Sequence, residues 1–154
     1  MTVTYIQVSD VQNALGAAYD ATSQGYTVYG LTLTAAAFQA HVSYANTYIN
    51  ALVGTDMTST DPRYNHAVIA AIDLACFRIL VVSSGGAIVG AFDYFLGDLR
   101  VSRAGPYATA VKNAINGFLS DLTNQIINLT TPVLIGDAAA AQDVPTYQGG
   151  LINP

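Results

Sequence analysis

Two histidines, His41 and His66, and the single cysteine, Cys76, are the side chains of this 154-residue chain best suited to acid–base, metal or nucleophile chemistry. Periodicity puts His41 and His66 on successive helices, where Asp61 or Asp73 could join them in a metal site or an acid–base pair. Neither histidine has the companions such chemistry needs, since there is no HExxH, no carboxylate at i+4 on a ligand face and no acidic cluster. Surface or hydrogen-bonded histidines are the expectation. Cys76 falls in the most apolar helix, where a thiol behaves as a small hydrophobe. As the sole cysteine it excludes an intrachain disulfide and a thiolate zinc site built from this chain alone.

All ten acidic residues are aspartates, scattered through the chain, and Asp10, Asp61 and Asp98 read as caps or turn formers. The run Ser83-Ser84-Gly85-Gly86 lacks the following Lys-Ser/Thr of a phosphate loop and reads as a helix terminator. No catalytic residue, no metal ligand and no cofactor is therefore expected, and the chain reads as non-enzymatic. A small helical enzyme or ligand-binding protein, with a pocket between Tyr44, Tyr48 and His66, is the competing reading.

Composition favours contact over chemistry. Charged residues are 10% of the chain, against about 25% in an average protein, so a monomer has little charge with which to cover its surface. The net charge of −5 argues against a basic nucleic-acid groove, because phosphate binding needs clustered Lys and Arg. The cations are Lys112 and four arginines, of which Arg100 and Arg103 form the one close pair. Ten tyrosines offer amphipathic contact area of the kind enriched at interfaces.

The elements that carry these residues are mainly helical. Ser9 is placed to cap a short helix that Gly16 ends. Residues 17–30, rich in Tyr, Thr, Ser and Gly, read as a loop or a short extended excursion. Thr34 precedes a helix over residues 35–53, in which Phe38, Val42, Ala45, Ile49 and Leu52 recur at steps of three and four and Gly54 is the stop. His41, Tyr44 and Tyr48 form a second stripe on it. Asp61 and Pro62 read as cap and first turn of a helix running to about Val82, apolar over most of its circumference and so central. Residues 91–102 hold two short β-prone runs around Leu96-Gly97-Asp98 that read as a short hairpin or a structured loop. Pro106 opens the last long helix, with Val111, Ile115, Phe118, Leu122, Ile126 and Leu129 in phase until Thr130-Thr131-Pro132.

The fold class expected is thus mainly α, a small bundle of three long helices and one short N-terminal helix. One domain over residues 1–132 is followed by an extended arm over 133–154, where periodicity stops. A membrane span is not expected: the segment 67–91 holds Asp73 and Arg78, each costing roughly 2.5–3.5 kcal/mol at mid-bilayer. The first residues lack the basic start and long apolar run of a signal peptide, so synthesis in the cytosol is expected.

Four local patterns, spanning roughly residues 6–129, resemble the small head–tail connector, or adaptor, proteins of tailed double-stranded DNA viruses. They are Val8-Ser9-Asp10-Val11-Gln12-Asn13-Ala14-Leu15-Gly16, the helical Ala45-Asn46-Thr47-Tyr48-Ile49, the Ala- and Leu-rich helix after Pro62, and Phe95-Leu96-Gly97-Asp98-Leu99-Arg100-Val101-Ser102. The resemblance implies a structural protein made in the host cytoplasm and resident in the virion neck. It implies a homo-oligomeric ring, usually a dodecamer, between the portal protein and a tail or head-completion protein, with double-stranded DNA passing through. It also implies docking of the C-terminal arm on a neighbour, for which Val133, Leu134, Ile135, Tyr147, Leu151 and Ile152 are the candidates. Arg100 and Arg103 are candidates for the DNA channel or for ion pairs between subunits. Residues 17–30 depart from the family by being longer than its usual link. Another virion protein, such as a tail terminator, is the nearest alternative, but its mainly β fold would require short alternating strands.

Overall fold

The computed structural model describes residues 3–54, 56–84, 94–96, 99–101 and 108–131. Their order is α1 (Val8–Leu15), β1 (Ala18–Asp20), β2 (Gly25–Val28), β3 (Leu31–Thr34), α2 (Ala35–Val53), α3 (Tyr64–Ser83), β4 (Tyr94–Leu96), β5 (Leu99–Val101) and α4 (Ala108–Thr130). The chain is mainly helical, as its periodicity predicts.

Helix α2 has the bounds its end signals specify. The Thr34 hydroxyl accepts from the Ala37 N–H at 3.2 Å, and Gly54 closes the helix in the left-handed region with φ 72°. Its apolar stripe, Phe38, Val42, Ala45 and Ile49, is buried. Helix α3 is buried over much of its circumference, from Ala67 through Asp73 and Cys76 to Leu80, and packs against α2, α4 and α1. By length and composition α3 would also suffice to cross a membrane; half of it is buried inside this fold. Helix α4 lays Val111, Ile115, Leu122 and Leu129 onto α3, so the core is the seam around that central helix.

Three local expectations are corrected. Gln7, not Ser9, is the N-cap of α1, and Asp10 completes a reciprocal capping box by accepting from the Gln7 N–H at 2.7 Å. Pro62 lies in a turn ahead of α3 rather than in its first turn. There the Asp61 carboxylate accepts from the Arg63 N–H at 2.8 Å and pairs with the Arg63 guanidinium at 3.2 Å, so the aspartate fixes the turn and the helix starts at Tyr64.

The third correction is a three-stranded antiparallel sheet, β1-β2-β3, where a loop or a short extended excursion was expected. Its strands are three or four residues long, too short to show a period-two signature. Tyr29 and Gly30, with φ of 49° and 77°, make the two-residue turn between β2 and β3. Gly25 is required for a different reason: a Cβ there would meet the Leu33 carbonyl oxygen at 2.5 Å. β4 and β5 pair antiparallel, with Tyr94 opposite Val101, as expected for residues 91–102.

Candidate interaction surface

Helix α2 contains no Asp, Glu, Lys or Arg over its 19 residues. Helical phase sorts what remains into three strips. The core stripe faces α3. A second strip, Asn46 and Asn50, grips the N-terminal segment. The third, Ala36, Ala40, Ser43, Tyr44, Thr47, Tyr48 and Ala51, is exposed along the whole helix.

The asparagine strip works as a clamp on main chain. Asn46 Oδ1 accepts from the Tyr5 N–H at 2.8 Å and the Ile6 N–H at 3.1 Å, while its Nδ2 donates to the Ile6 carbonyl at 2.9 Å. One turn on, Asn50 Oδ1 accepts from the Val3 N–H at 3.1 Å and its Nδ2 donates to the Val3 carbonyl at 2.6 Å and the Asn46 carbonyl at 2.8 Å. Two side-chain amides thus replace a neighbouring strand for an extended segment whose Tyr5 and Ile6 are buried. Tyr5 also packs its ring 5.8 Å from that of Tyr64 at the start of α3, and burial, first, then the charges of Tyr64, Asp56 and Asp61 push its hydroxyl pKa up.

Beside the clamp lies an open cleft of about 630 Å³ between the N-terminal segment and α2. Its walls include Thr4, Gln7, Ser9, Gln39, Ser43 and Thr47, and none of its lining residues is charged. On the other flank Tyr44 and Tyr48 stack with centroids 6.1 Å apart and planes at 19°. The Arg78 guanidinium carbon sits 3.7 Å from the Tyr44 ring centre, a cation–π contact that reaches across from α3. Burial and then the Arg78 charge lower the pKa of His41, so this histidine is neutral at pH 7 and adds no charge to the face.

The candidate chemistry disperses in three dimensions. His66 bonds through Nδ1 to Gln125 Oε1 of α4 at 2.7 Å, whereas His41 feels Arg78, so the two histidines serve different seams. Tyr44 and Tyr48 meet each other and Arg78, whereas His66 meets Gln125. Cys76 is fully buried, and burial with the nearby Asp73 charge pushes its thiol up to about 12, which leaves it un-ionised. No group of three His, Cys, Asp or Glu able to hold a metal occurs among the described residues.

Asp73 is the one buried carboxylate among the described residues. It is 6% exposed between α3 and α4, and its Oδ2 has no hydrogen-bond partner there. Desolvation, with the Asp121 charge second, raises its pKa to about 6.

Arg100 falls in β5, with its main chain paired to Phe95. Arg103 and the arm candidates Val133, Leu134, Ile135, Tyr147, Leu151 and Ile152 lie outside the described residues. Sequence reasoning missed Asn46 and Asn50 as a clamp; the available signal was a pair of amides at i and i+4 flanking the core stripe of a helix with no charge. Comparison with family models, with curated proteins and with solved structures found no match.

Proposed function

We propose that this chain is a structural subunit that packs beside copies of itself in a ring at the neck of a tailed double-stranded DNA virus, joining the portal to the tail side and letting DNA pass. The observation that carries the packing role is the exposed, charge-free strip of α2. A helix facing only water would ordinarily show charge on its outer side, and this one shows Ala, Ser, Thr and a tyrosine pair instead. Small side chains let a neighbouring element approach closely, while Tyr44 and Tyr48 add large contact area that orders at low entropic cost. The neck address rests on the four sequence patterns and on the order of helices, which has the short helix, two long helices, hairpin and final long helix of the connector reading. The net charge of −5 suits a channel that must not grip phosphate.

Light scattering and negative-stain imaging of the purified protein, alone and mixed with portal protein, test the proposal. Closed rings, twelvefold in the family's usual form, that bind the portal are expected. A stable monomer without portal affinity would overturn it. A second reading draws on the uncharged cleft beside the clamp: a neutral, hydrogen-bonding ligand held between the N-terminal segment and α2. A thermal-shift screen with neutral metabolites addresses it, and a ligand that Thr47→Leu abolishes would favour it over packing alone.

A further inference from the structure

We propose that Asp73 makes the seam between α3 and α4 a pH-responsive joint, closed when its carboxyl is protonated and loosened when it is ionised. The inference concerns the fold itself and stands apart from the ring reading. His66, Asp73, Cys76 and Leu80 recur along one side of α3. The His66–Gln125 bond shows that α4 covers that side. Helix α4 packs mainly on α3 and only marginally on α2. Among the described residues the His66–Gln125 pair is the side-chain hydrogen bond that ties it down. The rest of its attachment is apolar burial by Val111, Ile115, Leu122 and Leu129.

An ionised carboxylate in such a seam demands either a partner or water. The described groups supply no counter-charge. On α4 the charged residues are Lys112, exposed near its start, and Asp121, whose like charge acts on Asp73. On α2 the titratable groups are His41, which faces Arg78, and the exposed Tyr44 and Tyr48. Helix α1 carries Asp10, engaged in its own cap, and β3 carries no ionisable side chain. On α3 itself Arg78 is committed to the Tyr44 ring, the Cys76 thiol is neutral, Tyr64 packs on Tyr5, and His66, two turns from Asp73, is held by Gln125. Lifting α4 lets water reach the orphaned Oδ2, and in doing so uncovers an apolar strip on both helices.

The sole cysteine is a native reporter, because Cys76 is fully buried one turn beyond Asp73 on α3 and feels its charge. Its alkylation rate is measured for the full-length protein and for Asp73→Asn at pH 5, 6, 7 and 8. The ratio of the two rates removes the intrinsic pH dependence of thiol ionisation common to both chains, and the Asp73 charge, which disfavours the thiolate, works against the expected rise rather than producing it. The wild-type-to-variant ratio is expected to climb about tenfold between pH 5 and pH 8. Hydrogen exchange of the wild-type chain, corrected for its intrinsic pH dependence, reads the joint without any substitution. Exchange in α4 is expected to rise about tenfold over the same range while α2 stays protected. A flat labelling ratio overturns the proposal, and so does an equal rise of exchange in α2 and α4, which would mean global rather than local opening.

Discussion

Replacing Asn46 by alanine removes the acceptor for two main-chain N–H groups, of Tyr5 and Ile6, and the donor to the Ile6 carbonyl. All three are buried, and each orphaned group costs about 1–3 kcal/mol. Asn46→Ala is therefore expected to lose about 3 kcal/mol in urea unfolding, whereas Asn50→Ala, at a half-buried position, loses about 1 kcal/mol. Equal losses at the two positions would refute the gradation. Tyr29 presents the opposite case. It sits in the left-handed region with φ 49° and is 38% exposed, so it bears backbone strain with modest packing in return. Tyr29→Asn is expected to raise stability by about 0.5–1 kcal/mol, measured by the thermal midpoint; a drop would mean that the tyrosine ring contributes more by contact than its backbone loses.

At the scale of elements, Asp73 and Asp61 tune stability in opposite senses. The folded pKa of Asp73, about 6, lies above the ordinary 3.8, so its contribution to stability is fully present below pH 3.8 and is lost as pH rises through 6. Asp73→Asn is expected to stabilise the protein by up to about 3 kcal/mol at pH 8 and by nearly nothing at pH 4, as urea midpoints at the two values would show. Asp61, with its pKa lowered by the Arg63 hydrogen bonds, works the other way, favouring the fold at neutral pH and less as acid protonates it. The same elements show what can be read in advance. The bounds of α2 follow from Thr34 and Gly54, because cap and terminator act locally and leave a mark in residue type. The central place of α3 follows from its nearly continuous apolar surface. Its start is ambiguous in the sequence because Asp61 and Pro62 suit an N-cap and first turn just as well as the preceding turn that Arg63 stabilises. The small sheet was hidden because three- and four-residue strands hold too few alternations, and its identity depends on pairing among β1, β2 and β3. The clamp was hidden for a related reason: an asparagine on a helix looks like a surface residue until the segment it grips, some forty positions away, is in place.

For the whole molecule, the decisive matter is whether the charge-free strip of α2 meets water or protein. Ala40 is exposed on the first half of this strip, away from the clamp and from the core stripe. In an isolated chain Ala40→Arg alters a solvated helix position with a residue of good helix propensity, so monomer stability should shift by less than about 0.5 kcal/mol. Within a packed interface the same change forces a long cation into a seam where α2 offers no carboxylate to receive it, and truncation of close approach adds to the desolvation cost. The expected result is a variant with unchanged circular dichroism and urea midpoint that sediments as a monomer where the parent chain assembles. Thr47→Arg should behave alike from the next turn but one, while Asn128→Arg, on the exposed polar side of α4, should leave assembly intact. Assembly of Ala40→Arg at the parent's concentration would remove α2 from the interface and shift the search to α4 and to residues 132–154, because the composition that calls for burial between subunits would then have to be satisfied there.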